Sequence, residues 1–167
     1  MGSLPVTLRK VRPSDAALLE KWDTDEAVIA SNPNDAGESD WPAEIAADPN
    51  WRRFWIAEAS GRAVGVLIDI DPAREESHYW GDCGPGLRAF DIWIGEAEAR
   101  GRGVGAEIMR QALAAAFADA AVEAVVIDPL ASNERAIRFY ERIGFKQIER
   151  RRFGADDCLV MRLDRPA

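Results

Sequence analysis

The sequence predicts one α/β domain: an α+β mixed sheet, mostly antiparallel, with helices on both faces, spanning residues 1–167. Three observations predict it. Strand-like and helix-like runs follow in the order β-α-(loop)-β-β-β-α-β-α-β-β, and neighbouring β-runs joined by tight turns pair antiparallel. The run from Glu123 to Ile127 is apolar almost throughout and lies between two helical patterns, as a buried parallel strand does. The chain is long enough for one sizeable core and has no internal repeat.

Val6 to Val11 reads as the first strand, and Pro13-Ser14-Asp15 opens a helix with Ala17, Leu18, Leu19 and Trp22 at helical spacing. Residues 24–50 are rich in Asn, Asp, Pro and Glu and read as a long irregular segment with short helical turns. Arg53–Ala59, the turn Ser60-Gly61-Arg62, and Val64–Ile70 form a β-hairpin. A second loop covers residues 71–86, and Leu87–Ile94 is a fourth strand. A helix runs from Ala106 to Ala118, then comes the apolar strand, then a helix from about Asn133 to Ile143 with Gly144 closing it. Phe145–Arg152 and Cys158–Leu163 complete the sheet, joined through Gly154, Ala155, Asp156 and Asp157.

Charge and composition narrow the function. A formal net charge of −8 disfavours nucleic acid and anionic membranes and favours a cationic partner. One histidine (His78) and two distant cysteines (Cys83, Cys158) assemble no zinc site, so no metal is expected, and a reduced cytoplasmic setting fits best. The first twelve residues lack the apolar core of a signal peptide, and no run approaches a membrane span. A monomer or a homodimer is compatible with these features.

The most informative stretch is Arg100-Gly101-Arg102-Gly103-Val104-Gly105-Ala106, between the strand ending at Ile94 and the helix that follows. Glycines leave backbone N–H groups unobstructed where a helix starts, and the positive end of its dipole suits a bound phosphate. Arg100 and Arg102 add positive charge, while a tight turn needing glycine for its dihedrals is the plainer alternative. Gly101-x-Gly103-x-x-Ala106 also fits a dinucleotide fingerprint. That fingerprint follows its strand closely in a first βαβ unit, whereas here Gly95 to Arg100 intervene.

Arg100-x-x-Gly103-x-Gly105 on a strand-to-helix turn resembles the acyl-CoA pyrophosphate loop of the GCN5-related N-acetyltransferase (GNAT) family. Asn133 to Phe145, with its Asn, Ala136, Tyr140 and closing Gly144-Phe145, is similar to that family's second motif. The resemblance covers essentially the whole chain. It is closer still to bacterial aminoglycoside 6'-N-acetyltransferases, through Pro85-Gly86-Leu87-Arg88-Ala89-Phe90-Asp91, Ile127-Asp128-Pro129 and Val6-Thr7-Leu8-Arg9. Three features depart from that subfamily. Gly84 replaces an acidic residue, Tyr79-Trp80 stands for paired tryptophans, and Ala155 replaces a drug-contacting acidic residue that Asp156 and Asp157 adjoin.

The resemblance implies a GNAT-like fold and direct acetyl transfer from acetyl-CoA to a primary amine of a small cationic acceptor. An aminoglycoside 6'-amine is the first expectation; a protein N-terminus, a lysine or a siderophore amine is the alternative, and a non-catalytic CoA-binding module a remote one. Asp91, in an otherwise apolar strand, is the first candidate base, or else a carboxylate on the solvent face. Asp128 ends the apolar strand where parallel sheets place ligands, to bind the ammonium or share the base role, or else to form a turn before Pro129. Tyr140 is the candidate acid or donor to the CoA sulfur, or a core tyrosine. Asn133 either meets the pantetheine arm or caps its helix.

The resemblance further implies that Trp93 and Ile94 pair with pantetheine amides and that Arg100, Gly101, Arg102, Gly103, Val104, Gly105 and Ala106 hold the phosphates. A bulge at or near Gly95 would open the sheet for that arm. Trp80, Asp82, Asp91, Asp128 and Asp156 are expected around the acceptor; the aromatic group Tyr79, Trp80, Trp41 and Trp51 either lines that cleft or, as aromatic side chains more often do, simply packs. Acidic residues in the two loops (Asp35, Glu38, Asp40, Glu44 and Asp48; Asp71, Glu75, Glu76 and Asp82), together with Asp157, either steer a polycation toward it or only solubilise the protein. His78 reads as a surface residue.

Overall fold

The computed structural model describes residues 4–31 and 39–167. Its strands are β1 (Val6–Lys10), β2 (Arg52–Ala59), β3 (Arg62–Ile70), β4 (Leu87–Ile94), β5 (Ala124–Ile127), β6 (Lys146–Phe153) and β7 (Asp156–Asp164). Its helices are α1 (Ala16–Trp22), α2 (Glu26–Ser31), α3 (Trp41–Ala47), α4 (Val104–Ala118) and α5 (Glu134–Ile143), with short 3-10 turns at Pro13–Asp15 and Ala97–Ala99. The strands form one sheet in the order β1-β2-β3-β4-β5-β7-β6. Only β4 and β5 run parallel; the other neighbours are antiparallel.

Alternation along the strands divides the core between the two faces. Leu67 on β3, Phe90 on β4 and Val125 and Ile127 on β5 pack with Val104, Ile108 and Met109 of α4 and Tyr140 of α5. The intervening residues Phe54, Ile56 and Val66 pack with Leu19 and Trp22 of α1 and Trp41 and Ile45 of α3 on the opposite face. Trp80, Ala89, Val126, Phe153, Cys158 and Val160 form a third cluster.

Two regions differ from the sequence reading. Within residues 24–50, α2 and α3 are formed helices, each started by an aspartate. Asp25 accepts from the N–H groups of Ala27 and Val28, and Asp40 accepts from that of Ala43, with Pro42 in the first turn. Asp35 and Glu38 lie outside the described residues. In the last hairpin the strands reach closer to the turn than expected: Phe153 pairs with Asp156, leaving only Gly154 (φ +59) and Ala155 between them.

Near the N-terminus Asp15 is buried, and both of its oxygens accept from the Arg9 guanidinium, at 2.9 and 2.8 Å. This bidentate pair fixes the chain between β1 and α1. Asn133 accepts from the Ala136 N–H as the N-cap of α5, and Gly144 (φ +122) ends that helix with its N–H on the Tyr140 and Glu141 carbonyls.

Candidate active site

The site begins with a ladder that stops. β4 and β5 share three parallel rungs, Leu87 with Ala124, Arg88 with Val125 and Ala89 with Val126. Beyond them β4 stays on β3 as far as Ile94 opposite Gly65, while β5 turns to β7 through Ile127 opposite Met161. The β5-facing edge of β4 from Phe90 to Ile94 therefore has no strand partner among the described residues. Such an edge offers backbone groups to an extended, amide-bearing ligand.

Just past β4, the N–H groups of Gly95 and Glu96 both donate to the Val64 carbonyl, at 2.9 and 3.2 Å. Two residues set against one is the pattern of a β-bulge, and it lies where the sequence reading expected it. Gly95 is required there because a Cβ would lie 2.0 Å from the Trp22 indole, whose N–H donates to Glu96.

The glycine turn leads directly into α4. Gly101 (φ +71) and Gly103 (φ +77) occupy the left-handed region, with Gly103 as N-cap. The first-turn N–H groups of α4, including those of Val104, Gly105 and Ala106, have no helical carbonyl four residues earlier, an arrangement that suits an anion. A Cβ on Gly105 would meet the Phe139 ring at 3.3 Å, so this glycine also brings α4 against α5. Arg100, expected to add positive charge at the turn, also has protein partners. Its guanidinium donates to the Ile94 carbonyl at 2.9 Å and to Asp25 at 3.0 Å, pinning the turn to the end of β4 and to the start of α2.

On the other side of the open edge lies a cleft of 530 Å³ that brings together Asp91, Asp128, Asp156, Tyr140, Asn133 and Trp93. Trp80, Tyr79, Trp41 and Trp51 also line it. Asp91 is exposed and shares the face of Ala89 and Trp93. Asp128 follows β5 and is partly buried. Burial first, then the negative charges of Asp91 and Asp156, raise its carboxyl to about 7, against the pull of a hydrogen bond from the Tyr79 phenol.

Tyr140 is buried against Phe139 and Phe145. Burial, and then the charges of Asp91 and Asp128, push its phenol well above the ordinary tyrosine range, so it stays protonated. Asn133 caps α5, one of its two expected roles, and also lines the cleft.

Several expected acidic contributors turn elsewhere. Asp82 is exposed and is not among the described residues lining the cleft. Asp157 pairs with Arg150, Asp48 with Lys10 at 3.0 Å, and Asp71 lies 3.9 Å from Arg88. Asp40 is spent on capping α3. Glu44 lines the cleft while pairing with Arg52, and Glu75 lines it while accepting from the N–H groups of Ser77 and Tyr79. His78 is exposed, with φ +56. The sequence reading missed the bond between Tyr79 and Asp128, which joins residues 49 positions apart and leaves no local signal. Among the described residues no group of three or more His, Cys, Asp or Glu is arranged to hold a metal ion, and no helix is long and apolar enough to cross a membrane.

Residues 12–153 match the family model described as an acetyltransferase (GNAT) domain. The aminoglycoside N(6')-acetyltransferase type 1 of Klebsiella pneumoniae is 28% identical over 85% of this chain and 74% of its own length. A kanamycin resistance protein of Rhizobium radiobacter is 35% identical over 44% of this chain and 68% of its own. Among solved structures, aminoglycoside acetyltransferase AAC(6')-Ib in complex with coenzyme A superposes with a TM-score of 0.86 at 24% identity, covering 96% of this chain and 95% of that one. The spermidine N-acetyltransferase from Vibrio cholerae in complex with CoA and spermine gives 0.75 at 19%, covering 95% of each chain. With the open β4 edge, the glycine turn on α4 and the family match all in one chain, the protein belongs to the GNAT acetyltransferase family.

Proposed function

We propose that this protein transfers the acetyl group of acetyl-CoA to a primary amine of a small polycationic acceptor, the 6'-amine of an aminoglycoside, by direct transfer in a ternary complex. The observation that carries the reading is the carboxylate group Asp91, Asp128 and Asp156, gathered in one cleft beside the unpaired edge of β4. The names of the relatives support it: aminoglycoside N(6')-acetyltransferases and a kanamycin resistance protein.

Acetyl-CoA supplies an activated thioester. The Gly101–Ala106 turn offers the N–H groups of the first turn of α4 to its phosphates, and Trp93 and Ile94 offer backbone groups to its pantetheine amides. Asp91 and Asp128 hold the acceptor's ammonium. Burial, and then the charge of Asp91, let Asp128 keep its proton up to about neutrality, so ammonium binding drives that proton off and leaves the carboxylate ionised. Asp128, titrating near the working pH, then receives the amine's proton directly or through water, and Asp91 holds the charge as the nitrogen attacks. Tyr140, kept protonated by its surroundings, donates to the departing thiolate.

A thiol-release assay over aminoglycosides, linear polyamines and peptide amines tests this. Acetylation of aminoglycosides above the other two classes is the expected result. A clear preference for polyamines or peptides overturns the acceptor assignment.

A further inference from the structure

We infer that Tyr79 is a positioning residue of the acceptor site, whose phenol holds the Asp128 carboxylate in the orientation and charge state that receive the acceptor's ammonium. The inference rests on the reading that Asp128 meets the acceptor amine.

Tyr79 is 44% exposed, yet its ring is fixed from several directions. It stacks on Phe153 of β6 with centroids 4.4 Å apart and planes within 7°, and Trp80 meets both rings edge-on. The Arg151 guanidinium lies over Phe153 at 4.7 Å and donates to the Trp80 carbonyl. From below, the Glu75 carboxylate holds the Tyr79 N–H at 3.0 Å and the Ser77 N–H at 2.7 Å. His78, immediately before, takes φ +56, a left-handed conformation that non-glycine residues seldom adopt and that this loop sustains. An exposed tyrosine so constrained delivers its O–H to one place, Asp128 Oδ2.

That bond matters because of what else faces Asp128. Asp91 on β4 and Asp156 on β7 bring negative charge, and Tyr140 on α5 brings a neutral phenol; Cys158 on β7 lies near Tyr79. Tyr79 is the side chain whose hydrogen bond favours the ionised carboxylate against those two charges. A carboxylate has roughly four acceptor positions, so one phenol leaves room for an ammonium.

The test compares Tyr79→Phe, which keeps the stacked ring and removes the O–H, with the unmodified protein. Two quantities are measured: the Asp128 carboxyl titration by carbon-13 NMR, and kcat/KM for the acceptor against pH. Any ionisation of the acceptor itself is common to both proteins and cancels. The expected result is an Asp128 midpoint raised by about one pH unit, with the acid limb of kcat/KM moving by the same amount. The loss is then roughly tenfold near pH 6 and small on the alkaline plateau. An unmoved midpoint, a moved midpoint with an unmoved limb, or an equal loss at every pH overturns the inference. If the unmodified protein acetylates no polycationic amine, the proposed function fails, while the NMR titration still decides whether Tyr79 governs Asp128.

Discussion

Ala89 faces Val126 across the last rung of the parallel β4–β5 ladder, and beyond that rung the two strands part. The gap between them aligns the site: the glycine turn and α4 lie past the far end of β4, while Asp91 on β4 and Asp128 after β5 line the cleft beside it. A ladder continued through Ile94 would close the edge on which the proposed co-substrate site depends.

The first prediction concerns the turn. Gly103→Val places a branched side chain at φ +77, straining the backbone by about 1–2 kcal/mol, and crowds the N–H groups aimed at the phosphates. CoA affinity measured by calorimetry falls about tenfold or more. A folded variant with unchanged affinity removes the turn from the binding site.

How much of this was legible in the sequence depended on distance along the chain. β4 and the glycine turn were readable because a strand's alternation and a helix start are local patterns. The bulge past β4 was anticipated at Gly95, although the Trp22 ring that makes glycine necessary there comes from α1. The partners of Arg100 and Asp128 were not readable. Arg100 meets Asp25 across 75 positions and Asp128 meets Tyr79 across 49, and no periodicity reports such pairings. The same holds for Asp157 and Asp48, whose cationic partners were invisible until the fold brought them together. Helices α2 and α3 were blurred because each is under two turns long, and α2 has no buried residue to mark its face.

A second prediction separates Tyr140 from the core that surrounds it. Tyr140→Phe keeps the ring against Phe139 and Phe145, so the melting temperature stays near that of the unmodified protein. Turnover falls on the order of 10²-fold with CoA affinity retained. Unchanged turnover makes Tyr140 a packing residue only.

The third prediction follows from the raised carboxyl of Asp128. Its folded value, about 7, lies above the ordinary 3.8, so the folded state binds its proton more tightly than the unfolded chain does. The stability this contributes is present below about pH 4 and is lost as pH rises through about 7. Asp128→Asn cannot ionise, so its melting temperature exceeds that of the unmodified protein above pH 7, with the gap narrowing as pH falls. Its acetylation rate nonetheless drops, by about 10²-fold or more. A variant less stable at alkaline pH contradicts the assigned surroundings of Asp128.

In the proposed reaction, the cleft holding Asp91 and Asp128 presents one particular amine of an aminoglycoside to the thioester. The most direct measurement compares initial rates for two aminoglycosides that differ at one position, one carrying a 6'-amine and the other a 6'-hydroxyl, with product structures established by NMR. Rapid acetylation of the first at its 6'-nitrogen and none of the second is the expected result. Comparable rates for both, or a first product acetylated at another nitrogen, contradicts it.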